Sequence, residues 1–401
     1  MKKSTIITIV AFVVGIIVLA TGFILLTDNN ISKNLFTTTT TTPSTTTTTK
    51  PPRTEYKPMD LFNTDITQYV TLGDYKGLSI ETEQLEVSDD EVEWQIGLVL
   101  AIQEEFTKIR EGQISERVVF SFDFTGYLLK DDGTKDKAFD GGSGTNQLAY
   151  IEDNTLYTLS SSGVGSFIDG FAQGMLNANV GETLDLNITF PEDYQAADLK
   201  GKKTIFEVKI NFIAKPEFSD GWVKEYTKDE YKTCDEYRAY IKETMEGIVK
   251  DGNLTLLWNQ ILENSVVTIP EEQFNYVYYS YRYQIEDYAT MFQMSYEDFL
   301  STGYGAYLLG FSFTTDKELR DYVNEGLTYE LVMVAIVKAE GIEASDEEYR
   351  EMLDTLIEQM GKTEAEVLET YSEEYIRQQL ALQKVDEVIY DLNTFVLKEA
   401  E

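Results

Sequence analysis

Apolar residues along this chain recur with several distinct rhythms, and each predicts a different element. Residues 6–26, IITIVAFVVGIIVLATGFILL, are uncharged and almost wholly apolar, about the length a helix needs to cross a bilayer. Residues 37–52, TTTTTTPSTTTTTKPP, have nothing to bury, and the stretch 27–58 reads as a disordered Thr/Pro-rich spacer. Residues 66–86 look extended. A helix then begins at Ser88, which forms a capping box with Glu91. Val92, Ile96, Val99, Ile102 and Phe106 hold helical spacing to about Arg110.

Between 117 and 213 the rhythm changes to alternation. RVVFSFDFTGYLL (117–129), TLDLNITFP (183–191) and KTIFEVKINFIAK (203–215) read as strands, DDGTKD (131–136) as a hairpin tip, and SFIDGFAQGML (166–176) as a short helix. From 217 onward the helical period returns. Leu319, Tyr322, Val323 and Leu327 mark one helix. Ser345 and Glu348 box the start of another, whose Tyr349, Met352, Leu353, Leu356, Ile357 and Met360 share a face up to a stop at Gly361. Thr363 with Glu366 opens the next helix, and Leu382, Val385, Ile389 and Leu392 mark the last. The expected fold class is α+β: a strand-rich domain at 116–215, an all-α domain at 216–401, and a linking segment with its own helix at 59–115.

Composition narrows the chemistry. A chain of 401 residues is too long for one ordinary core. Its net charge of −37, spread along the folded part, repels nucleic acid and serves solubility. The absence of histidine removes the usual general base, the Ser-His and Cys-His nucleophile systems and histidine metal sites. Cys234 is the only cysteine, so no intrachain disulfide forms. The acidic residues at 131–136 lack the regular spacing and terminal Glu of a calcium loop. No metal or cofactor is expected.

Lys2 and Lys3 precede the apolar run, and no Lys or Arg follows until Lys33. The positive-inside tendency puts residues 1–5 in the cytoplasm and the folded part outside, as a single-pass cell-membrane protein. The competing reading is a signal peptide cleaved after a small residue such as Ala20. The run continues through Phe23–Leu26, which favours an uncleaved anchor. No cysteine lies near its end, which excludes a lipoprotein anchor.

Five blocks then carry a family resemblance: FDFTGYL at 122–128, AFDGG at 138–142, GSFIDGFAQGM at 165–175, VGETLDLNITFPEDY at 180–194 and LKGKKTIFEVKINFI at 199–213. In this order they resemble an FKBP-type peptidyl-prolyl isomerase domain, in the version found inside bacterial trigger factor. YKGLSIETEQLEVSDDEVEWQI at 75–96 resembles the trigger-factor segment leading into that domain. EFSDGWVKEYT at 217–227, VTIPEEQFNYVYYSYRYQIEDY at 267–288 and EGIEASDEEYREMLDTLIEQMGKTEAEVLETY at 340–371 resemble its C-terminal chaperone domain. The resemblance covers roughly 70–395. No match to the GFR-x-GK-x-P ribosome-docking loop appears. The resemblance implies an antiparallel half-barrel wrapped on a short helix, an all-α chaperone-like domain, and a ribosome-free version working outside the membrane on unfolded or nascent exported polypeptides.

The resemblance also implies a site. Phe124, Phe139, Phe167, Ile168, Phe171 and Phe206 would form an aromatic proline pocket with Phe171 as its floor, and Asp140 would stand at the rim near the twisting carbonyl. Tyr157 and Tyr194 would add substrate contacts. Phe and Ile at strand and helix positions are equally the stuff of ordinary cores, and Phe122 and Phe212 are assigned there. Asp140 is equally a turn residue before Gly141 and Gly142. The loop 143–164 is longer than in the family, and Ala196 stands near where stand-alone members often carry a tyrosine. A non-catalytic holdase with a vestigial isomerase domain is therefore the alternative function. In the helical part, Phe274, Val277, Tyr281, Ile285, Tyr288 and Phe292 recur at helical spacing, with Tyr276, Tyr278, Tyr279 and Tyr283 on other faces. These residues either pack between helices or expose a client surface.

Overall fold

Local hydrogen bonds fix many element ends. The computed structural model describes residues 53–398 apart from 131, 161–162, 304–309 and 312. The Ser88 hydroxyl accepts from the Glu91 N–H while the Glu91 carboxylate accepts from the Ser88 N–H, and the helix Asp89–Ile102 starts there. The same reciprocal box opens Asp316–Glu340 at Thr315, Asp346–Met360 at Ser345 and Glu364–Thr370 at Thr363. Among the described residues no helix is long and apolar enough to cross a membrane. The expected cytoplasmic N-terminus 1–5, the anchor 6–26 and most of the spacer lie outside the described residues.

The chain divides into two compact units, 86–250 and the described parts of 1–85 with 251–401. The N-terminal segment before Glu86 pairs with two short strands, Val266–Val267 and Thr394–Leu397, that flank the C-terminal helices. Strand β1, Val70–Thr71, and strand β2, Ser79–Thr82, provide its side of the pairing.

The 86–250 unit is built on one antiparallel sheet. Its strands are β3 (Phe106–Ile109), β4 (Phe120–Leu129), β5 (Lys135–Glu152), β6 (Thr155–Ser160), β7 (Gly163–Ser166), β8 (Thr183–Thr189) and β9 (Lys203–Pro216). The order is β3-β9-β4-β5-β6-β7, with β8 also on β9. Strand β9 is the spine. Strand β4 covers one of its edges, β8 covers the first half of the other, from Thr189 opposite Lys203 to Thr183 opposite Lys209, and β3 covers the end, from Ile109 opposite Ile213 to Phe106 opposite Pro216.

The helical spacing expected to continue to Arg110 ends at Ile102. Glu104 takes a left-handed φ of 60°, and Phe106 instead begins β3 on the edge of β9. The segment 143–164, read as a long loop, is mostly ladder. Strands β5 and β6 pair from Leu148 opposite Leu159 to Glu152 opposite Thr155. The connecting Asp153 and Asn154 both have positive φ, 44° and 61°, as a tight two-residue hairpin turn requires.

Irregularities in β4 curve the sheet. Its pairing with β5 shifts register between Phe122 and Phe124, Thr125 and Tyr127, and Tyr127 and Leu129, and bulges of this kind bend and twist a strand. The short helix Phe171–Met175 fills the concave face, burying Phe171, Ala172 and Met175 against Phe120, Phe122, Phe206, Val208 and Ile210. On the other face the Asp89–Ile102 helix packs Ala101, Leu98 and Trp94 with Phe212, Tyr150 and Leu159. Its remaining side, Val92, Ile96 and Leu100, packs on Trp222, Val223 and Tyr237 from Asp220–Tyr226 and the start of Cys234–Asn264.

The second unit is helical. The Asp316–Glu340 helix runs through its centre, with Leu331, Val332, Ile336 and Tyr329 packed on Trp258, Ile261, Val385 and Ile389. Its first half packs with Glu271–Met291 and Tyr296–Ser301 around Tyr281, Ile285, Phe299 and Val323. Asp346–Met360, Glu364–Thr370 and Glu373–Gln383 enclose a smaller core of Leu353, Val367 and Ile376. Strand β10, Val266–Val267, pairs antiparallel with β1, and β11, Thr394–Leu397, pairs parallel with β2. The helix read through Leu382, Val385, Ile389 and Leu392 breaks at Lys384. Residues 53–58, assigned to the disordered spacer, lie against Glu271–Met291. There Tyr56 stacks on Tyr279 and Arg53 pairs with Asp287, contacts that a Thr/Pro tract lacks.

Candidate active site

The concave face of the sheet gathers phenylalanines from five segments. Phe122 and Phe124 occupy β4, Phe139 β5 and Phe206 β9, while Phe167 follows β7 and Phe171 opens the short helix. Phe206 lies opposite Gly126, and Phe124 opposite Val208. Their rings meet edge to face. Centroids are 5.1 Å apart for Phe124 and Phe167, 4.7 Å for Phe167 and Phe171, 4.8 Å for Phe171 and Phe206, and 5.7 Å for Phe139 and Phe206. Such pairs add about 0.5–1.5 kcal/mol each beyond simple burial.

Exposure separates floor from wall. Phe171 is 1% exposed and Phe206 4%. Phe124, Phe139, Phe167, Ile168 and Tyr194 are half-buried at the edge of the cluster. The structure thus brings together Phe124, Phe139, Phe167, Ile168, Phe171, Phe206 and Tyr194. Asp140 is exposed next to Phe139 on β5. Gly141 after it has a left-handed φ of 76° within the bulged stretch of β5 opposite Thr125–Tyr127, so Asp140 lies in a strand and not in a turn.

Tyr157 is not among these residues. On β6 its neighbour Leu156 faces the Phe171–Met175 helix, and strand alternation sends Tyr157 to the opposite face. There it stacks on Tyr150, centroids 5.2 Å apart at 20°. The segment's ladder, unforeseen in the sequence, decides this.

Three contributors escaped sequence reasoning. Phe190, 4% exposed, lies 5.9 Å from Phe139, 6.2 Å from Phe206 and 4.6 Å from Tyr194, and so carries the cluster to its rim. Gly126 and Gly142 make room for Phe139. A Cβ on Gly126 would lie 2.5 Å from the Phe139 ring, and one on Gly142 would also overlap it. The signals were present: Phe190 stands in FPEDY, Gly126 in FTG and Gly142 in FDGG.

The site has apolar rings, no nucleophile, no imidazole and, within the ring cluster, only Tyr194 as a titratable group. It is suited to binding an apolar ring and excluding water from a neighbouring amide, a task that requires no covalent step.

Residues 111–211 match the family of FKBP-type peptidyl-prolyl cis-trans isomerase, and residues 313–391 match the bacterial trigger factor protein C-terminus. The chain is 31% identical over 295 residues to trigger factor 1 of Desulfitobacterium hafniense, covering 72% of this chain and 64% of that one. It is 30% identical over 330 residues to the trigger factor of Macrococcus caseolyticus, covering 80% of this chain and 71% of that one. With the trigger factor of Halothermothrix orenii the identity is 32% over 311 residues, covering 74% and 65%. A solved structure described as "Promiscuous Substrate Recognition in Folding and Assembly Activities of the Trigger Factor Chaperone" aligns over 80% of this chain and 73% of that one at 14% identity, with a TM-score of 0.31. At 30% identity across four fifths of its length, this chain belongs to the trigger factor family.

Proposed function

We propose that this protein is a peptidyl-prolyl cis-trans isomerase and chaperone that assists the folding of exported proteins outside the cell membrane, tethered by residues 6–26 and independent of the ribosome. The observation that carries the enzymatic reading is the ring cluster in which Phe171 and Phe206 are buried while Phe124, Phe139 and Phe167 remain half-exposed at its edge. Family membership and the match at 111–211 support it.

An X–Pro bond isomerises over tens to hundreds of seconds because the amide has partial double-bond character. A catalyst needs to hold the proline ring and bind the twisted amide better than the planar one. Twisting reduces the amide's charge separation, so dry aromatic walls favour it over water. Each 1.4 kcal/mol of preferential binding gives about tenfold in rate. Asp140, exposed beside Phe139, is the polar group we assign to the rim. The test is isomerisation of a short X–Pro peptide by the full chain. Acceleration over the uncatalysed rate supports the reading, and its absence removes it.

The alternative is a holdase with a vestigial isomerase domain. It is favoured by Phe139 itself, whose ring packs against Gly126, Gly142 and Phe206 within the cluster. This reading gives suppression of client aggregation with no peptide isomerisation. The tether is tested separately, by finding the intact N-terminus in a membrane fraction.

A further inference from the structure

The 86–250 unit holds a second group of aromatic rings, in a core cluster separate from the phenylalanines. It lies where the short helix Asp220–Tyr226 meets the start of Cys234–Asn264. Trp222 and Tyr226 stack with centroids 4.6 Å apart at 12°, and Tyr231 and Tyr240 stack at 4.8 Å and 26°. Both pairs touch Tyr237, Tyr226 from 6.3 Å at 87° and Tyr231 from 6.1 Å at 61°. Tyr237 is 4% exposed and forms a floor, while Tyr226 and Tyr240 are 43% and 41% exposed and stand as walls. Backbone bonds fix their spacing. Thr227 Oγ1 donates to the Val223 carbonyl at 2.7 Å and accepts from the Tyr231 N–H at 3.1 Å. Asp220 accepts from the Cys234 N–H at 2.7 Å and ties the two helices together. Walls that are rigid before binding lose less entropy on binding.

The electrostatics of this group favour a cation. Burial, then the hydroxyls of Tyr226, Tyr240 and Tyr231, push the Tyr237 hydroxyl up to about 12. Burial, then the Glu230 carboxylate, the Tyr240 hydroxyl and the Glu243 carboxylate, push Tyr231 up as well. Glu230 and Glu243 are both exposed at the rim. The nearby cations are engaged elsewhere, Arg238 with Glu93 and Asp235 and Lys242 with Asp89. Lys224, Lys228 and Lys232 are exposed, and among the described residues no Lys or Arg stands over the four tyrosine rings. The cluster does seat one cation at its far side. The Arg238 guanidinium lies 5.0 Å over Phe218, whose ring touches Trp222 and Tyr237.

We infer that these rings form a binding site for a small organic cation, whose quaternary ammonium group sits over Tyr237 between Tyr226 and the Tyr231–Tyr240 pair, with Glu230 and Glu243 at the rim. Ring faces attract a cation through their quadrupole, and the attraction grows as water is excluded. A primary ammonium carries three N–H donors, and on leaving water it needs acceptors that ring faces do not supply. A quaternary ammonium spreads its charge over methyl groups and donates no hydrogen bond, so aromatic walls replace its water at little loss. Free choline-type compounds and the headgroups of choline lipids share this chemistry. The inference is independent of the isomerase and chaperone readings, since none of these residues belongs to the phenylalanine cluster or to the helical unit.

The test titrates choline into the full chain and follows tryptophan fluorescence, which includes Trp222, and saturation transfer to the choline methyl protons. Saturable binding is expected. The uncharged isostere with a tert-butyl group in place of trimethylammonium should bind about tenfold more weakly. Tyr226→Ala and Tyr240→Ala, in chains that keep the parent's circular dichroism, should each weaken choline binding about three- to tenfold. Tyr240→Phe should bind as the parent does, because the ring carries the contact. Glu230→Gln with Glu243→Gln should weaken choline and leave the isostere unchanged. Glycerophosphocholine, titrated in parallel, separates the sources: binding equal to or tighter than choline assigns a lipid headgroup, and weaker binding assigns a free cation. No saturable choline binding, equal binding of choline and its isostere, or a choline affinity unmoved by both alanine substitutions overturns the inference.

Discussion

Phe139 stands edge-on to Phe206, their ring planes at 89° and centroids 5.7 Å apart. One ring is half-exposed and the other belongs to the core, so the two are expected to fail differently. Phe139→Ala should lower kcat/KM on an X–Pro peptide about tenfold or more, a loss of about 1.4 kcal/mol, with little change in unfolding midpoint. Phe206→Ala should cost about 3–5 kcal/mol of stability. An unchanged peptide rate in a folded Phe139→Ala protein would remove this cleft as the catalytic site.

Gly142 is where Phe139 gains its space, since a Cβ there overlaps the ring. Gly142→Ala should displace Phe139, reproduce the loss of isomerisation and destabilise the sheet unit by about 1–3 kcal/mol through overpacking. Urea unfolding and the peptide assay on the same sample check both parts.

Tyr157→Ala separates the two faces of the sheet. Because Tyr157 stacks on Tyr150 away from the ring cluster, the substitution should leave peptide isomerisation at the parent rate and lower stability by about 1–3 kcal/mol. A selective fall in activity would return Tyr157 to the site.

Asp316 ties the helical unit together. It accepts from the Tyr278 hydroxyl at 2.6 Å, the Tyr296 hydroxyl at 2.9 Å, Arg282 at 3.0 Å and Arg320 at 2.9 Å. Asp316→Ala leaves the Tyr278 and Tyr296 hydroxyls and Arg320 without this acceptor, while Arg282 keeps Glu286, and should cost about 1–3 kcal/mol. Chemical denaturation followed by far-ultraviolet circular dichroism measures this. A cost below about 0.5 kcal/mol would mean that the node is solvated and carries little.

Glu330 gives the helical unit a pH dependence. Burial pushes its carboxyl from 4.5 up to about 7, and its Oε2 atom has no hydrogen-bond partner. Below pH 4.5 folded and unfolded chains both carry the proton. Between 4.5 and about 7 only the folded chain keeps it, so this group's contribution to stability falls as pH rises through that window and is flat above it. Glu330→Gln should flatten that slope in unfolding experiments from pH 4 to 8. An identical slope in parent and variant would assign it to other groups.

What the sequence determined by itself was local. The capping boxes at Ser88, Ser345 and Thr363 form between residues three apart, and such bonds are decided within one turn. The phenylalanines of the cleft were legible because short motifs carried them. The alternation at 204–214 was legible too, but its meaning was not. Ser121 pairs with Phe212 and Phe122 with Ile210, so Asn211 is an extra residue in β9. Phe206, Val208 and Ile210 therefore face the short helix, whereas Phe212 and Ala214 face the Asp89–Ile102 helix. The face taken by Tyr157 and the seating of Arg53 and Tyr56 on a helix more than 220 residues away were likewise left to the tertiary structure. Strand register and the docking of distant segments are set by partners far along the chain, and no local periodicity encodes them.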